Sequence, residues 1–362
     1  MSRPTYMKID LRALAHNFER VRDLAKGRSI IAMVKANAYG HGITRIAHAL
    51  PNADAFGVAS LEEGVILRDA GITQPIVLVE GVFYPEEMAE AAKHHFSLVV
   101  HHLPHLEMLE QAKVDEPFTV WLKINTGMNR LGINPLQFEE FYQRLLAADA
   151  VKKPIGLMTH FASADLINDD ATLKQLELFN QVTANHQGPR SLANSAAIIA
   201  WPKTHGDWVR PGLMLYGASP FADKIGRDFD LQPVMSLCSR LIAITQVKKG
   251  GKIGYDGTYT APEDMLIGVV GVGYGDGYPQ FAKNGTPTRV NGVECPLAGR
   301  VSMDMLTVDL RHQPNAKMGD PVVLWGDGLP VERVASFCNT SAYEILTRMT
   351  PRPRVEVAAD HD

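Results

Sequence analysis

The chain has little that could tie it together covalently. Three cysteines, Cys238, Cys295 and Cys338, are scattered over 362 residues. Their odd number and wide spacing exclude a disulfide framework and the close cysteine pairs of a metal site, so no metal is expected. A reduced, cytoplasmic compartment is the natural expectation. Long apolar runs are missing too. No stretch reaches the ~18 residues of a membrane span, and the opening "MSRPTYMKIDLRAL" lacks the apolar stretch of a secretory signal. Positive charge is not in excess: the formal net charge is −4 and the pI about 6.4. Without a basic stripe, nucleic acid is not an expected partner. No G-x-G-x-x-G follows the first apolar run, which removes the usual sign of a dinucleotide fold. Internal repeats and low-complexity segments are also absent.

What is present is a long alternation. Single cores stop growing near ~250–300 residues, so this length predicts two domains. In the first part, apolar runs alternate with helical patterns: "SIIAMV", "AFGVAS", "PIVLVEG", "SLVV", "FTVWLKIN", "PIGLMTHFA", "SLANS" and "GDWVRPG". Continuous apolar runs are what burial on both faces of a parallel sheet requires. About eight βα units by residue ~215 predict a (β/α)8 barrel of the TIM type over residues 1–225. After residue ~225 the pattern becomes strand material cut by turns such as Lys249-Gly250-Gly251 and Asn291-Gly292. Residues 226–362 therefore read as a β-rich C-terminal domain with one late helix, "PVERVASFCNTSAYEILTRM". The N-terminal "TYMKID" falls outside the eight-unit count, which leaves pairing with the β-rich domain open to it. The helix after it is expected to start at the N-cap Asp10.

In such a barrel the chemistry sits at the C-terminal ends of the strands. The first apolar run ends on Lys35, within "IAMVKANAYGHG". Lys123 to Arg130 lie at the end of the fifth, Thr159-His160 at the sixth, Asn194-Ser195 at the seventh and Arg210-Pro-Gly212 at the eighth. Each alone has a plain reading: a lysine reaching for water, a satisfied core histidine, a helix-capping serine, an arginine paired at the surface. Together at one mouth they suit an aldehyde cofactor that carries a phosphate. A lysine in an apolar strand-end setting is expected to have a lowered pKa and can form a Schiff base. Ser195, Tyr39 and the amides around Gly212 are neutral donors of the kind a phosphate accepts. Pyridoxal 5′-phosphate (PLP) combines both groups.

Eight motifs in order, "AMVKANAYGHG", "KINTGMNRLG", "MTHFASAD", "NSAA", "WVRPGLMLYG", "GYDGTYTA", "GYGDGYP" and "GRVSMD", make the chain closely resemble the bacterial alanine racemases, PLP enzymes of fold type III. The resemblance covers essentially the whole chain, and the second-domain motifs "GYDGTYTA" and "GRVSMD" are its most specific part. It implies that Lys35 holds PLP covalently. Tyr39, Ser195, Gly212, Leu213 and Tyr343 would cradle the phosphate. Arg130 would lie near the phenolic oxygen and the substrate carboxylate, held by a carbamate on Lys123. Arg210 would face the pyridine nitrogen with His160 behind it. Tyr255, supplied by the partner subunit of a homodimer, would be the second base. Tyr274, Met303 and Asp304 would line the entrance and the substrate pocket. The implied reaction is interconversion of L- and D-alanine, either to supply D-alanine for peptidoglycan or for alanine catabolism. An unperturbed tyrosine is a poor base at neutral pH; the expected remedy is a cationic neighbour, with His160 acting through Arg210.

Three positions depart from the family pattern. Asn125 stands where many members have Asp, Gln280 where many have Arg, and the C-terminal "MTPRPRVEV" is unusual. Other readings remain: a racemase of broader specificity, a PLP decarboxylase, a non-catalytic PLP carrier or an inactive scaffold. A decarboxylase would put an acid opposite the pyridine nitrogen, where Arg210 stands. A carrier is commonly the barrel alone, without a second domain bearing Tyr255.

Overall fold

A computed structural model describes residues 3–358. They form two compact units, one of residues 18–215 and one that joins the segment before residue 18 to the chain from Tyr216 onward.

The first strand, β1 (Tyr6–Asp10), belongs to the second of these units. Asp10 then caps the helix Leu11–Leu24: its Oδ1 accepts from the amides of Arg12 at 2.9 Å and Ala13 at 3.1 Å. Eight parallel strands follow: β2 (Ser29–Met33), β3 (Ala55–Val58), β4 (Ile76–Leu78), β5 (Ser97–Val100), β6 (Phe118–Lys123), β7 (Val151–Met158), β8 (Arg190–Asn194) and β9 (Trp208–Arg210). They pair in sequence order and close when β2 meets β9, Ser29 opposite Trp208. All eight apolar runs singled out in the sequence are barrel strands. β3, β4 and β5 are buried at every residue, as strands covered on both faces must be. Most connections carry a helix, and each helix turns an apolar face inward. In Phe138–Ala147, for example, Phe138, Phe141, Tyr142 and Leu145 are buried, while Glu139 and Glu140 favour its first turn.

The other unit is built on a mainly antiparallel sheet. Its strands are β10 (Met235–Val247), β11 (Lys252–Ile253), β12 (Tyr259–Thr260), β13 (Met265–Val270), β14 (Pro287–Val290), β15 (Val293–Pro296), β16 (Leu306–Asp309), β17 (Pro321–Trp325) and β18 (Arg354–Ala358). β11 and β12 pair only with each other; the rest run β15-β14-β17-β10-β1-β18, with β13 and β16 joined through β10. β10 is long enough to serve two neighbourhoods, its first half pairing with β1 and β17 and its second with β13. β1 lies between β10 and β18, parallel only to the latter. Asn291 and Gly292, both with positive φ, make the two-residue turn between β14 and β15. The single late helix expected from the sequence is two helices, Val331–Phe337 and Ala342–Thr347. Asn339 takes φ +51° and ends the first, and Ser341 accepts from the Glu344 amide to start the second.

Candidate active site

The C-terminal ends of the barrel strands bring Lys35, Lys123, Arg130, His160 and Arg210 into one electrostatic neighbourhood. Lys123, at the end of β6, is buried, and its pKa is pushed from 10.5 down to about 7. Burial is the main cause, followed by the positive charges of Arg210, Arg130 and Lys35; Glu80 alone opposes them. His160 is driven well below its usual range by burial and then by Arg210, Lys123, Arg130 and Lys35. It is a neutral imidazole at physiological pH. It therefore cannot be the cationic neighbour expected to help a tyrosine ionise.

Arg210 is the best-held member. Its Nη1 donates to Ser191 Oγ at 2.7 Å, and its Nη2 to Thr159 O at 2.6 Å and Leu192 O at 3.1 Å. His160 Nδ1 lies 3.3 Å from the same Nη2 and accepts from it. Burial lowers Arg210 to about 10, which leaves it charged at neutral pH.

The lysine at the end of the first barrel strand differs from expectation. Lys35 is not in an apolar, closed setting: its side chain is 36% exposed and Nζ lies 3.8 Å from Glu80 Oε1. The desolvated lysine is Lys123 instead. Glu80, just past β4, is a site residue that the sequence reading missed; "VLVEG" carries a strand-end acid that could have drawn notice.

After Lys35 the backbone does something rare. Ala36, Asn37, Ala38 and Tyr39 have φ of 52°, 54°, 53° and 51°, a left-handed turn made without glycine. The Ala36 amide donates to Glu63 Oε1 at 2.6 Å, and Glu63 Oε2 accepts from the Ala59 amide at 2.8 Å. The Ile43 amide donates to Asn37 Oδ1 at 2.9 Å. The turn delivers the Tyr39 hydroxyl to Gly212, where a Cβ would stand only 2.4 Å from Tyr39 Oη. Ser195 Oγ accepts from the amides of Gly212 at 2.9 Å and Met214 at 3.3 Å. Leu213 is buried beside them. The Tyr39 and Ser195 hydroxyls, both neutral donors, are thus set close around Gly212, with no room for a side chain there. That fits a phosphate, and the four nearby cations fit further anions.

Arg130 is exposed on the loop that follows β6. Asn125 organises this loop: its Oδ1 accepts from the amides of Gly127 at 3.1 Å and Asn129 at 3.0 Å. An Asp carboxylate could accept the same two bonds, which explains how Asn is tolerated here. Behind the loop, Gln175 was also missed. It donates to Thr126 Oγ1 and His160 O, both at 3.1 Å, and accepts from the Ala162 amide at 2.9 Å. It belongs to a helix facing inward, and nothing local in the sequence marks it.

The remaining expected residues lie in the strand-rich unit. Tyr255 is 67% exposed at the tip of a turn flanked by Gly254, Asp256 and Gly257, all with positive φ. Tyr274 follows β13, and Met303 is exposed. Asp304 pairs with Arg352 at 2.6 Å, and Arg3 and Arg352 also reach the buried Asp276. The unusual "PRPR" tail therefore supplies the arginine that anchors Asp304. Tyr343 sits on the helix Ala342–Thr347, and Gln280 is half-buried.

Among the described residues no helix is long and apolar enough to cross a membrane. Residues 9–220 match the model of the alanine racemase N-terminal domain, and residues 234–357 that of the C-terminal domain. The chain is 52% identical over 345 residues to the biosynthetic alanine racemase of Escherichia coli K12, covering 95% of this chain and 96% of that protein. Its fold is similar to the crystal structure of the biosynthetic alanine racemase of Pseudomonas aeruginosa, with TM-score 0.96, 43% identity and coverage of 99% and 100%. It also resembles the alanine racemase of Bartonella henselae, solved with covalently bound pyridoxal phosphate, with TM-score 0.87, 27% identity and coverage of 98% and 99%. The chain belongs to the alanine racemase family, isomerases that act on amino acids.

Proposed function

We propose that the protein interconverts L- and D-alanine with pyridoxal phosphate, by two bases on opposite faces of the substrate. The observation that carries this reading is the convergence at the barrel mouth of a strand-end lysine, a cradle of neutral donors and a set of cations. Lys35 would hold the cofactor covalently. Tyr39, Ser195, Gly212, Leu213 and Tyr343 would hold its phosphate. When bound, this group supplies an electron sink that acidifies the α-proton of an amino acid.

The chain's own residues then decide the outcome. Lys35 Nζ, freed when the substrate's amine takes its place, would take or return the α-proton on one face, and the partner subunit's Tyr255 would do so through its hydroxyl on the other. Inversion needs both, because the proton must leave one face and arrive at the opposite one. The exposure of Tyr255 on a tight loop suits a residue offered to a second copy of the chain. Arg130 binds the substrate carboxylate, and Tyr274, Met303 and Asp304 shape the approach to it. Lys123, neutral in a good fraction of molecules at pH 7, can add carbon dioxide, forming an N–C bond and releasing a proton. The carbamate's negative charge would then hold Arg130 in place. Arg210 has only donors, so it would not hold a proton on the cofactor's pyridine nitrogen, which would favour racemisation over transamination. We carry over the biosynthetic role from the relatives whose names state it.

Subunit mixing tests the shared site. Lys35→Ala and Tyr255→Ala homodimers should each be inactive in racemisation. After subunit exchange, heterodimers should regain activity from one intact site of two, read as D-alanine formed from L-alanine. Exchange without rescue would mean that Tyr255 does not serve the partner's Lys35.

A further inference from the structure

The end of β5 carries three histidines in the spacing H-H-x-x-H. The strand stops at Val100, His101 and His102 leave it, and the helix Leu103–Gln111 begins at once with His105 in its first turn. This brings the three imidazoles together. Ring centroids lie 4.6 Å apart for His101 and His102, 4.4 Å for His101 and His105, and 3.9 Å for His102 and His105. One ring nitrogen of each lies within 4.8 Å of those of the other two. Neither the expected cofactor site nor the proton transfers use these residues.

Their protonation is set by their surroundings. Burial and mutual repulsion push His105 down to about 3, and burial also lowers His101 and His102. All three are neutral at physiological pH. His101 Nε2 lies 2.9 Å from Glu80 O, and His105 Nε2 lies 2.8 Å from Val82 O. A carbonyl only accepts, so both Nε2 atoms carry the proton and both Nδ1 atoms keep a lone pair. His105 Nδ1 is buried near the Val99 backbone and makes no hydrogen bond of ordinary geometry. Gly81 makes room for this ring: a Cβ there would stand 2.5 Å from His105 Cε1. A plain packing cluster would account for one stacked and two edge-on ring pairs. It leaves a buried imidazole nitrogen without a well-formed hydrogen bond unexplained.

We propose that His101, His102 and His105 form a binding site for a borderline transition-metal ion such as Zn²⁺, Co²⁺ or Ni²⁺. Imidazole nitrogens suit these ions, whereas Ca²⁺ and Mg²⁺ prefer oxygen. A ligating histidine characteristically donates its other ring N–H to a carbonyl, as His101 and His105 do. Three protein ligands leave a fourth position for water. Ligand nitrogens on a tetrahedral ion bound at ~2.1 Å lie roughly 3.4 Å apart, so the group must close by about an ångström. His102 is exposed and can make that movement, while the other two are held by their carbonyls.

The test is a Co²⁺ titration of the tag-free, full-length protein after chelation, followed by visible absorption. We expect one equivalent per chain with the intense bands of a low-coordinate site, displaced by Zn²⁺. His102→Ala should weaken binding at least tenfold. His48→Ala, an exposed histidine outside the group, should leave it unchanged. Unchanged racemase activity in both variants would show that they fold. Absence of stoichiometric binding in the wild type, or equal affinity in His102→Ala, would overturn the proposal.

Discussion

Lys123 should make the stability of this protein depend on pH in a direction opposite to that of a surface lysine. Its folded pKa of about 7 lies far below the ordinary 10.5. Between those values the unfolded chain binds more protons than the folded one, so stability rises with pH across this window. Below pH 7 the folded protein carries the buried ammonium at full cost. The gap corresponds to at most about 5 kcal/mol, and relaxation and water penetration reduce it to roughly 2–3 kcal/mol. Lys123→Met keeps the length of the side chain and removes the charge. In cofactor-free protein it should raise the urea midpoint at pH 7 and flatten the rise between pH 7 and pH 10. Bicarbonate should stabilise the wild type, because a carbamate turns a fourth cation into an anion among three, and should do nothing for the variant. The assay is urea unfolding of both proteins at pH 7, 8.5 and 10, with and without bicarbonate. Parallel midpoints for the two proteins across that range would refute the argument.

Two further substitutions probe the cradle and its support. Gly212→Ala places a methyl where the Tyr39 hydroxyl now lies, and should displace that hydroxyl from the phosphate cradle. Losing one hydrogen bond to a charged group costs ~1.5–3 kcal/mol, so PLP affinity should fall about tenfold or more; an unchanged dissociation constant would remove Tyr39 from the cradle. Gln175→Leu leaves the Ala162 amide and the His160 carbonyl without this partner. Both bonds are part-buried, so at ~0.5–1.5 kcal/mol for each the loss should be roughly 1–3 kcal/mol and visible in the unfolding midpoint, and a change under ~0.5 kcal/mol would count against the network.

The barrel was legible because its physics is local to each strand. A parallel strand buried on both faces must be a continuous apolar run, and "AFGV", "IVL" and "SLVV" are such runs. The polar residues that end those runs were legible for the same reason: Lys35, Lys123, His160 and Arg210 interrupt a pattern. Glu80 ends a run as well, but a single acid before a glycine reads as a loop residue. Gln175 and Glu63 were hidden because each lies within a helical pattern, where a polar residue normally faces water. The degree of burial of Lys35 and Lys123 depends on what packs over them, which no short window contains. The spacing of His101, His102 and His105 was visible, but its meaning depends on a strand ending at residue 100 and a helix beginning at residue 103. The break at Asn339 and Ser341 is written in cap-forming residues, but the helical pattern on both sides masks it.

The left-handed turn at residues 36–39 shows why the mouth of the barrel cannot be understood as a stability device. Each non-glycine residue in that conformation costs ~1–2 kcal/mol, and "KANAY" offers no glycine to lower the cost. Folding accepts it because Glu63 and Asn37 hold the turn from both sides. What the turn achieves is geometric. A β2 that simply ran on would carry Tyr39 away from the barrel, whereas this reversal returns its hydroxyl to Gly212 and leaves Lys35 facing the mouth. The cations add a second cost at the same place, since Lys123, Arg130, Arg210 and Lys35 outnumber the one carboxylate, Glu80, acting on Lys123. Strained backbone and uncompensated charge are both unfavourable in the chain alone, and an anion seated at the mouth would offset the second of them. Their coincidence at the strand ends is what a preorganised anion site looks like before its ligand arrives.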